Sequence, residues 1–436
     1  MSGLSAKEAP KGSGVSGLVG ARMGWGLVDN DQFLSLNIGT ALRWGKLGIG
    51  IQAPLRFRVV DKDPQNDGSL RKEDWDEVSD WTRVLRYVEW GTPKDPIYTR
   101  VGVLEGTTIG HGTIVNQYYN VIDADHYQTG VQLHVDLDIA GGQFFVDNMI
   151  DPELFGVRGF VRPFQFFKVA PLFKRIGVGL TVVIDGAAPK DPKTLNDKDS
   201  TRIINDDGDL VTDSNSVAIL GLDVDWALIS TDSFALTPYV DFNVLGTTGG
   251  TGFHAGILTQ AQVTAAVKLG GRLEYRAVNE DYAPSYVNSW YEVERVEFLN
   301  GKTKIDYFTD KDKAGLEGIK HGFAATLDLN ILKAILLSAT YEDYQGPDNA
   351  NLLLKLGLPW IASFKLNAYY AKRNFDSINE AFDLDRGLLI AELKWKFAGP
   401  FYVYALYSRE WRLNKDNPND PDNYDTTKRS MTLIRE

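Results

Sequence analysis

The stretch VQLHVDLDI (131–139) sets His134 beside Asp136 and Asp138 in one alternating row. An imidazole with neighbouring carboxylates is raw material for general acid–base or hydrolytic chemistry. Such chemistry also needs a nucleophile, and no serine stands where it would supply one. The chain has no cysteine, which removes thiol nucleophiles, zinc–thiolate sites and disulfides. A histidine spaced like this from aspartate arises easily by chance, so no catalytic residue is assigned and no enzyme is expected.

Metal chemistry is equally thin. In DKDPQNDGSLRKED (61–74), Asp63, Asp67 and Gly68 match an EF-hand loop at three positions, but Gln65 holds the third ligand place and Asp74 replaces the bidentate glutamate. A second acidic turn, DNPNDPDNYD, covers 416–425. Both read as solvated loop surface, with Asp63, Asp67 and Asp74 as weak calcium candidates and no cofactor expected. The net charge of −12 argues against nucleic acid as a partner.

The elements that carry these residues are strands. In LSLNIGTALRWGKLGIGIQAPLRFRV (34–59), Leu34, Leu36, Ile38, Leu42 and Trp44 alternate with Ser35, Asn37, Gly39, Ala41 and Arg43, and the pattern resumes after Gly45 and Lys46. Period two of this kind is a β-hairpin. It recurs at 131–139, 176–185, 220–228, 236–244, 264–276, 321–330, 334–344, 350–358, 362–373, 386–397 and 400–412, and less cleanly at 14–26, 81–90, 97–105, 143–149, 157–168, 252–260 and 426–435. No run of apolar residues is long enough for a membrane helix, and the 42 glycines suit an all-β chain rich in turns.

Short connections at Gly45 and Lys46, Gly141 and Gly142, 230–233, 331–333, 359–361 and 398–400 alternate with long polar ones at 60–80, 186–215, 277–320, 374–385 and 413–425. A strand of about 11 residues at roughly 3.3 Å each, tilted by about 45°, rises roughly 25 Å, the height of a bilayer's apolar band. Trp25, Trp44, Trp90, Trp360, Trp395, Trp411 and Tyr407 fall near segment ends, where interfacial aromatics belong. The rows opposite the apolar ones are rich in Gly, Ala, Ser, Thr and Asn, unlike a soluble surface. Closing about 18–20 such strands gives a barrel about 40 Å across, too wide for side chains to fill. The apolar rows are therefore expected to face lipid.

With LSLNIGTALRW, LGIGIQAPLRFRV, VQLHVDLDIAGG and the short-turn, long-loop rhythm, the chain resembles Gram-negative outer-membrane β-barrels of the porin-like kind along nearly its whole length. The resemblance implies a single transmembrane antiparallel up-and-down barrel over 14–436, after a flexible segment 1–13. Short periplasmic turns, long extracellular loops and no plug domain go with it. MSGLSAKEAPKGSG has no apolar core for a secretory signal and the chain ends SMTLIRE without the usual aromatic, so mature or truncated termini are expected.

Within such a barrel Arg22, Arg43, Arg56, Arg58, Lys355, Lys365, Lys394 and Lys396 form a basic lumen wall, facing an acidic wall of Asp136, Asp138, Asp223, Asp225 and Asp241. Because first and last strands adjoin, a transverse field across a wet pore is expected. His254 reads as a lumen or loop residue. The connection 277–320 carries Tyr282, Tyr286, Trp290, Tyr291 and Phe298, costly in water, so it should fold inward as a constriction or cap the rim. Folded inward, its Glu280, Asp281, Glu292 and Glu294 would be pinned by Arg43, Arg56 and Arg58, with 186–215 and 106–130 as the next candidates. The expected function is passive passage of small hydrophilic solutes across an outer membrane. The alternative is a structural or assembly barrel whose loops bind a protein. Expected partners are outer-membrane lipid, lipopolysaccharide and solutes, with a protein partner or homo-oligomer open.

Overall fold

Alternating side chains need extended backbone, because only a strand returns every second residue to the same face. The computed structural model describes residues 15–435 except 29–30, 63–68, 76–80, 94, 122–127, 194–202, 204–210, 297, 299–301, 311–317, 348, 362, 384–386, 399–400 and 414–423. The segment 1–13, the calcium candidates Asp63 and Asp67, and the side chains of Arg22, Trp360 and Trp411 lie outside the described residues.

The wall begins with strands Val15–Val28, Asp31–Trp44, Leu47–Val60, Leu85–Trp90, Ile97–Gly102, Gly130–Asp136, Ala140–Val146 and Leu154–Val161. It continues through Ile176–Pro192, Thr212–Trp226, Phe234–Leu245, Gly250–Gln262, Val267–Asn279 and Ile319–Ile331. The last six are Ile335–Tyr344, Ala350–Ile361, Phe364–Phe375, Gly387–Ala398, Phe401–Leu413 and Tyr424–Arg435. Each pairs antiparallel with its neighbours in sequence, and the last lies alongside the first. Among the described residues the sheet has 21 strands, and counting the two-residue Ile229–Ser230 with the strand it prolongs leaves 20 spans.

The faces are inverted relative to a soluble protein. On Thr212–Trp226, Leu222 is 53% exposed while Asp223 is 5% exposed; on Val267–Asn279, Leu273 is 60% exposed and Glu274 fully buried. Leu180, Leu220, Val240, Phe242 and Phe323 are likewise exposed, whereas Arg158, Asp241, Arg276 and Lys394 are buried. Water on the outside would make this arrangement costly at every strand, whereas hydrocarbon outside and polar partners inside satisfy both rows. Trp25, Trp44, Trp90 and Trp395 are exposed on the outer surface.

Two expectations about connections change. Gly141 and Gly142 are not a turn; the chain reverses at 137–139, where Asp138 takes φ +70°. Gly141 instead lies inside a strand between Asp136 and Phe160, where a Cβ would run into the Val135 carbonyl and the Phe160 ring. The alternation of lengths is also looser than expected. Only four residues join Leu245 to Gly250 on the long-loop rim, and the short-turn rim carries a connection from 162 to 175.

Where strands are shortest, the chain leaves the wall. Ile97–Gly102 ends at Gly102 with φ +132°, a conformation closed to other residues, and the following segment bends inward. The apolar core is therefore inside the ring of strands. Leu104, Ile109, Ile114, Val115 and Tyr118 pack with Tyr282, Tyr286, Val287, Tyr291, Ile305 and Phe308 against Phe145, Val183, Val217, Ile219, Leu245 and Val278 of the wall.

Candidate functional site in the lumen

Two inward segments, 103–121 and 280–310, are joined before they meet the wall. Asn116 N–H donates to the Val287 carbonyl at 2.9 Å, Val287 N–H to Ile114 at 3.0 Å and Ser285 N–H to Thr113 at 2.8 Å. Pairs of Glu105–Thr107 with Tyr118–Tyr119 tighten the first segment; short helices Tyr291–Glu294 and Lys304–Thr309 shape the second. Aromatic rings fill the joint: Tyr118 lies 5.6 Å from Phe145 and 6.4 Å from Tyr291, and Tyr286 lies 5.7 Å from Tyr291. Phe298 packs 5.4 Å from Phe308, and Trp290 reaches across to Tyr369 at 5.9 Å. The structure thus brings together Tyr282, Tyr286, Trp290, Tyr291 and Phe298 inside the lumen.

Their buried polar ends are partnered, as burial requires. Tyr291 hydroxyl donates to Asp185 at 2.5 Å, Tyr118 hydroxyl to Glu292, and Asn243 to the Tyr282 hydroxyl at 3.0 Å. Burial pushes the Tyr291 hydroxyl well above its ordinary value, with the Asp185 charge adding to it. Glu294 sits against Lys304, Arg373 and Asn288. Burial opposes its ionisation, yet Arg373 and Lys304 outweigh this and hold the carboxyl below its usual range. Arg295 bridges Glu153 at 2.8 Å and Asp185 at 3.3 Å and approaches Glu292 at 3.6 Å. The acids Glu292 and Glu294 are therefore pinned by Arg295, Lys304 and Arg373, correcting the expectation that Arg43, Arg56 and Arg58 do so.

The acidic wall is divided by height and largely covered. Asp136 is at the short-turn rim, bound bidentately by Arg162 at 2.8 and 2.9 Å, and Asp138 is exposed in the adjacent turn. Asp223 takes two bonds from Arg158, at 2.9 and 2.6 Å. Asp241 accepts from Thr113 at 2.6 Å and meets His111 Nδ1 at 2.9 Å, while His111 Nε2 stands 3.6 Å from Asp225. The imidazole stacks on Tyr239 at 4.3 Å. Burial disfavours the charged ring, but Asp225 and Asp241 outweigh it and push His111 up to about 9. His111, Asp223 and Asp241 have donor atoms within 4.8 Å of one another, a spacing a metal could use. Arg158, Thr113 and the imidazole itself already occupy those carboxylates.

On the other wall the cations are paired as well. Arg71, Arg56 and Arg83 converge on the buried Asp74 at 2.8, 3.4 and 3.6 Å. That crowd of guanidinium groups overturns Asp74 as a calcium ligand. Arg43 and Arg100 share Glu89 at 2.9 and 3.3 Å, and Arg58 meets Asp31 at 2.8 Å. Lys355 lies 5.8 Å over both Tyr119 and Tyr369. Lys394 is buried 3.4 Å from Glu392, Lys365 is half-buried and Lys396 exposed.

Sequence reasoning missed His111, Arg158 and the buried cluster in which Glu274 is held by Arg272, Arg276, His254 and Tyr239. Parity alone would have placed Glu274, Arg276 and Tyr239 on inward rows. His111 lies in a segment without periodicity and gives no such signal. His134 is half-buried near the rim.

What the fold and lumen define is an all-β, antiparallel up-and-down barrel wall with an apolar outer surface and a charged interior into which the segments 103–121 and 280–310 fold. No protein-family model matches the chain, and no curated protein matches it. Similar solved structures are outer-membrane β-barrels. OpdK of Pseudomonas aeruginosa with vanillate is 9% identical, with TM-score 0.34, 97% of this chain and 96% of that one covered. OmpT of Vibrio cholerae is 10% identical, with TM-score 0.30 and coverage of 97% and 99%. A ferric enterobactin receptor of P. aeruginosa is 11% identical, with TM-score 0.40 and coverage of 95% and 72%. Likenesses this loose carry no argument about function, which rests on the chain's own faces and charges.

Proposed function

We propose that the protein is an integral outer-membrane channel through which small hydrophilic solutes pass passively, narrowed by the paired segments 103–121 and 280–310. The observation that carries this reading is the inverted wall: exposed leucine, valine and phenylalanine outside, buried arginine, aspartate and glutamate within. Strands of 12 to 14 residues and exposed tryptophans near strand ends support the membrane setting. The inner segments cover the middle strands, where His111 and Thr113 meet Asp241 while the wall's own Arg158 pairs with Asp223, and the solute path in this reading runs along the wall that carries Arg43, Arg56, Arg58, Lys355 and Lys365. A cation-rich wall in a narrow, low-dielectric passage concentrates anions. In this reading the lumen favours small anionic solutes over cations of the same size.

The test is solute entry into proteoliposomes loaded with the folded barrel. Small sugars and small organic anions should both enter, anions faster, and solutes above a sharp size limit should not. Correctly folded protein that admits none of them would favour the alternative, a barrel whose loops serve a protein partner.

A further inference from the structure

Most connections on the short-turn rim are brief, as between Trp44 and Leu47 or Ile331 and Ile335, but 162–175 runs RPFQFFKVAPLFKR. It is ordered by two single turns, Pro163–Phe166 and Phe173–Arg175. Its start is tied to the rim by Arg162 on Asp136 and by Arg162 N–H on the Ile139 carbonyl at 2.7 Å. Its end is tied by Trp226 Nε1, which donates to the Leu172 carbonyl at 3.0 Å, and by the Phe173 ring stacked 6.0 Å from Trp226. Trp226 belongs to the outward row of Leu220, Leu222 and Val224, so this end of the segment lies on the outer, apolar side of the wall.

A segment so firmly held nevertheless leaves its large apolar side chains uncovered. Phe166 is 68% and Phe167 60% exposed, with Phe164, Leu172 and Phe173 also exposed, and Lys168 and Arg175 stand exposed among them. Aromatics continuous with a lipid-facing row and interspersed with cations fit the boundary between acyl chains and headgroups, where rings enter the apolar layer and Lys or Arg reaches phosphate. Resting on the membrane reading above, we propose that 162–175 is a lipid-interface anchor: a plate lying in the plane of the bilayer at the short-turn rim, its phenylalanines inserted and its cations on anionic phospholipid headgroups.

The chain's lack of cysteine allows a direct test. Phe166→Cys and, as a lipid-facing control, Leu222→Cys are each labelled with an environment-sensitive fluorophore. Both are folded into vesicles of phosphatidylethanolamine and phosphatidylglycerol and checked for heat-resistant mobility. Phe167→Cys serves if Phe166→Cys fails to fold. The anchor predicts blue-shifted emission at 166 and several-fold weaker acrylamide quenching than for the same labelled protein urea-unfolded in buffer. The shift should shrink when Lys168, Lys174 and Arg175 are changed to Glu. A water-like probe at 166 with a lipid-like probe at 222 overturns the anchor alone, leaving a protein partner or the barrel mouth as occupant. Water-like probes at both positions overturn the membrane reading itself.

Discussion

The two charged walls of the lumen are built on the same strand pattern yet balance their charge differently. At Asp223 and Asp241 the carboxylates sit on the wall, and cations come to them from Arg158 and from His111 on the inner segment. At Asp74 three arginines meet one carboxylate, Arg56 from the wall and Arg71 and Arg83, like Asp74 itself, from the connection between Leu47–Val60 and Leu85–Trp90. Around Asp223, Asp225 and Asp241 the carboxylates outnumber Arg158 and His111, whereas around Asp74 the guanidinium groups outnumber the carboxylate. An inward-pointing row thus fixes polarity but not which sign reaches the solute; that depends on what the loops lay over it.

The largest contrast should appear on removing one partner. Asp223→Ala removes both hydrogen bonds of the buried Arg158 guanidinium, leaving it only the more distant Asp225 at 3.7 Å, and should cost about 3 kcal/mol, whereas Arg56→Ala leaves Asp74 with Arg71 and Arg83 and should cost about 1 kcal/mol. Urea unfolding from detergent or vesicles measures both, and equal losses would dissolve the distinction. Next, deleting residues 289–295 removes the Trp290, Tyr291 and Glu294 contacts and should raise single-channel conductance several-fold. Unchanged conductance would shift the constriction to 103–121 or elsewhere.

A smaller effect concerns pH. His111 is held near 9 against an ordinary 6.5. A raised folded-state value means its stabilisation is fully present below about 6.5 and is lost as pH climbs through about 9. Thermal unfolding temperature should therefore fall between those pH values, and His111→Gln should flatten that part of the profile. A mutant profile parallel to the wild type would show that the imidazole is not the titrating group.

How much of this was readable follows from what period two encodes. Alternation told which face Leu222 and Asp223 occupy, because one row must meet lipid and the other the lumen. Glycine at 141 looked like a turn since composition does not distinguish a turn glycine from one making room for the Phe160 ring. Parity carries no height, so Asp136 was grouped with Asp241 although one is at the rim and the other under the inner segment. The aromatics of 282–298 showed that this connection must be buried, but its partners are chosen by contacts such as Val115 with Val287, remote in sequence and set by no local pattern. The single glycine at 102 that sends the chain inward is one of 42 in the chain.

The central claim is that the apolar wall encloses a water-filled passage whose open side is cationic. The most direct test is the zero-current potential of single channels in a planar bilayer under a KCl gradient, with wild-type protein and with Arg56→Glu plus Arg58→Glu. The account predicts stable open channels with a potential showing anion preference, moved toward cation preference in the variant. A wild-type barrel that is folded and inserted but silent, or that prefers cations, would contradict it.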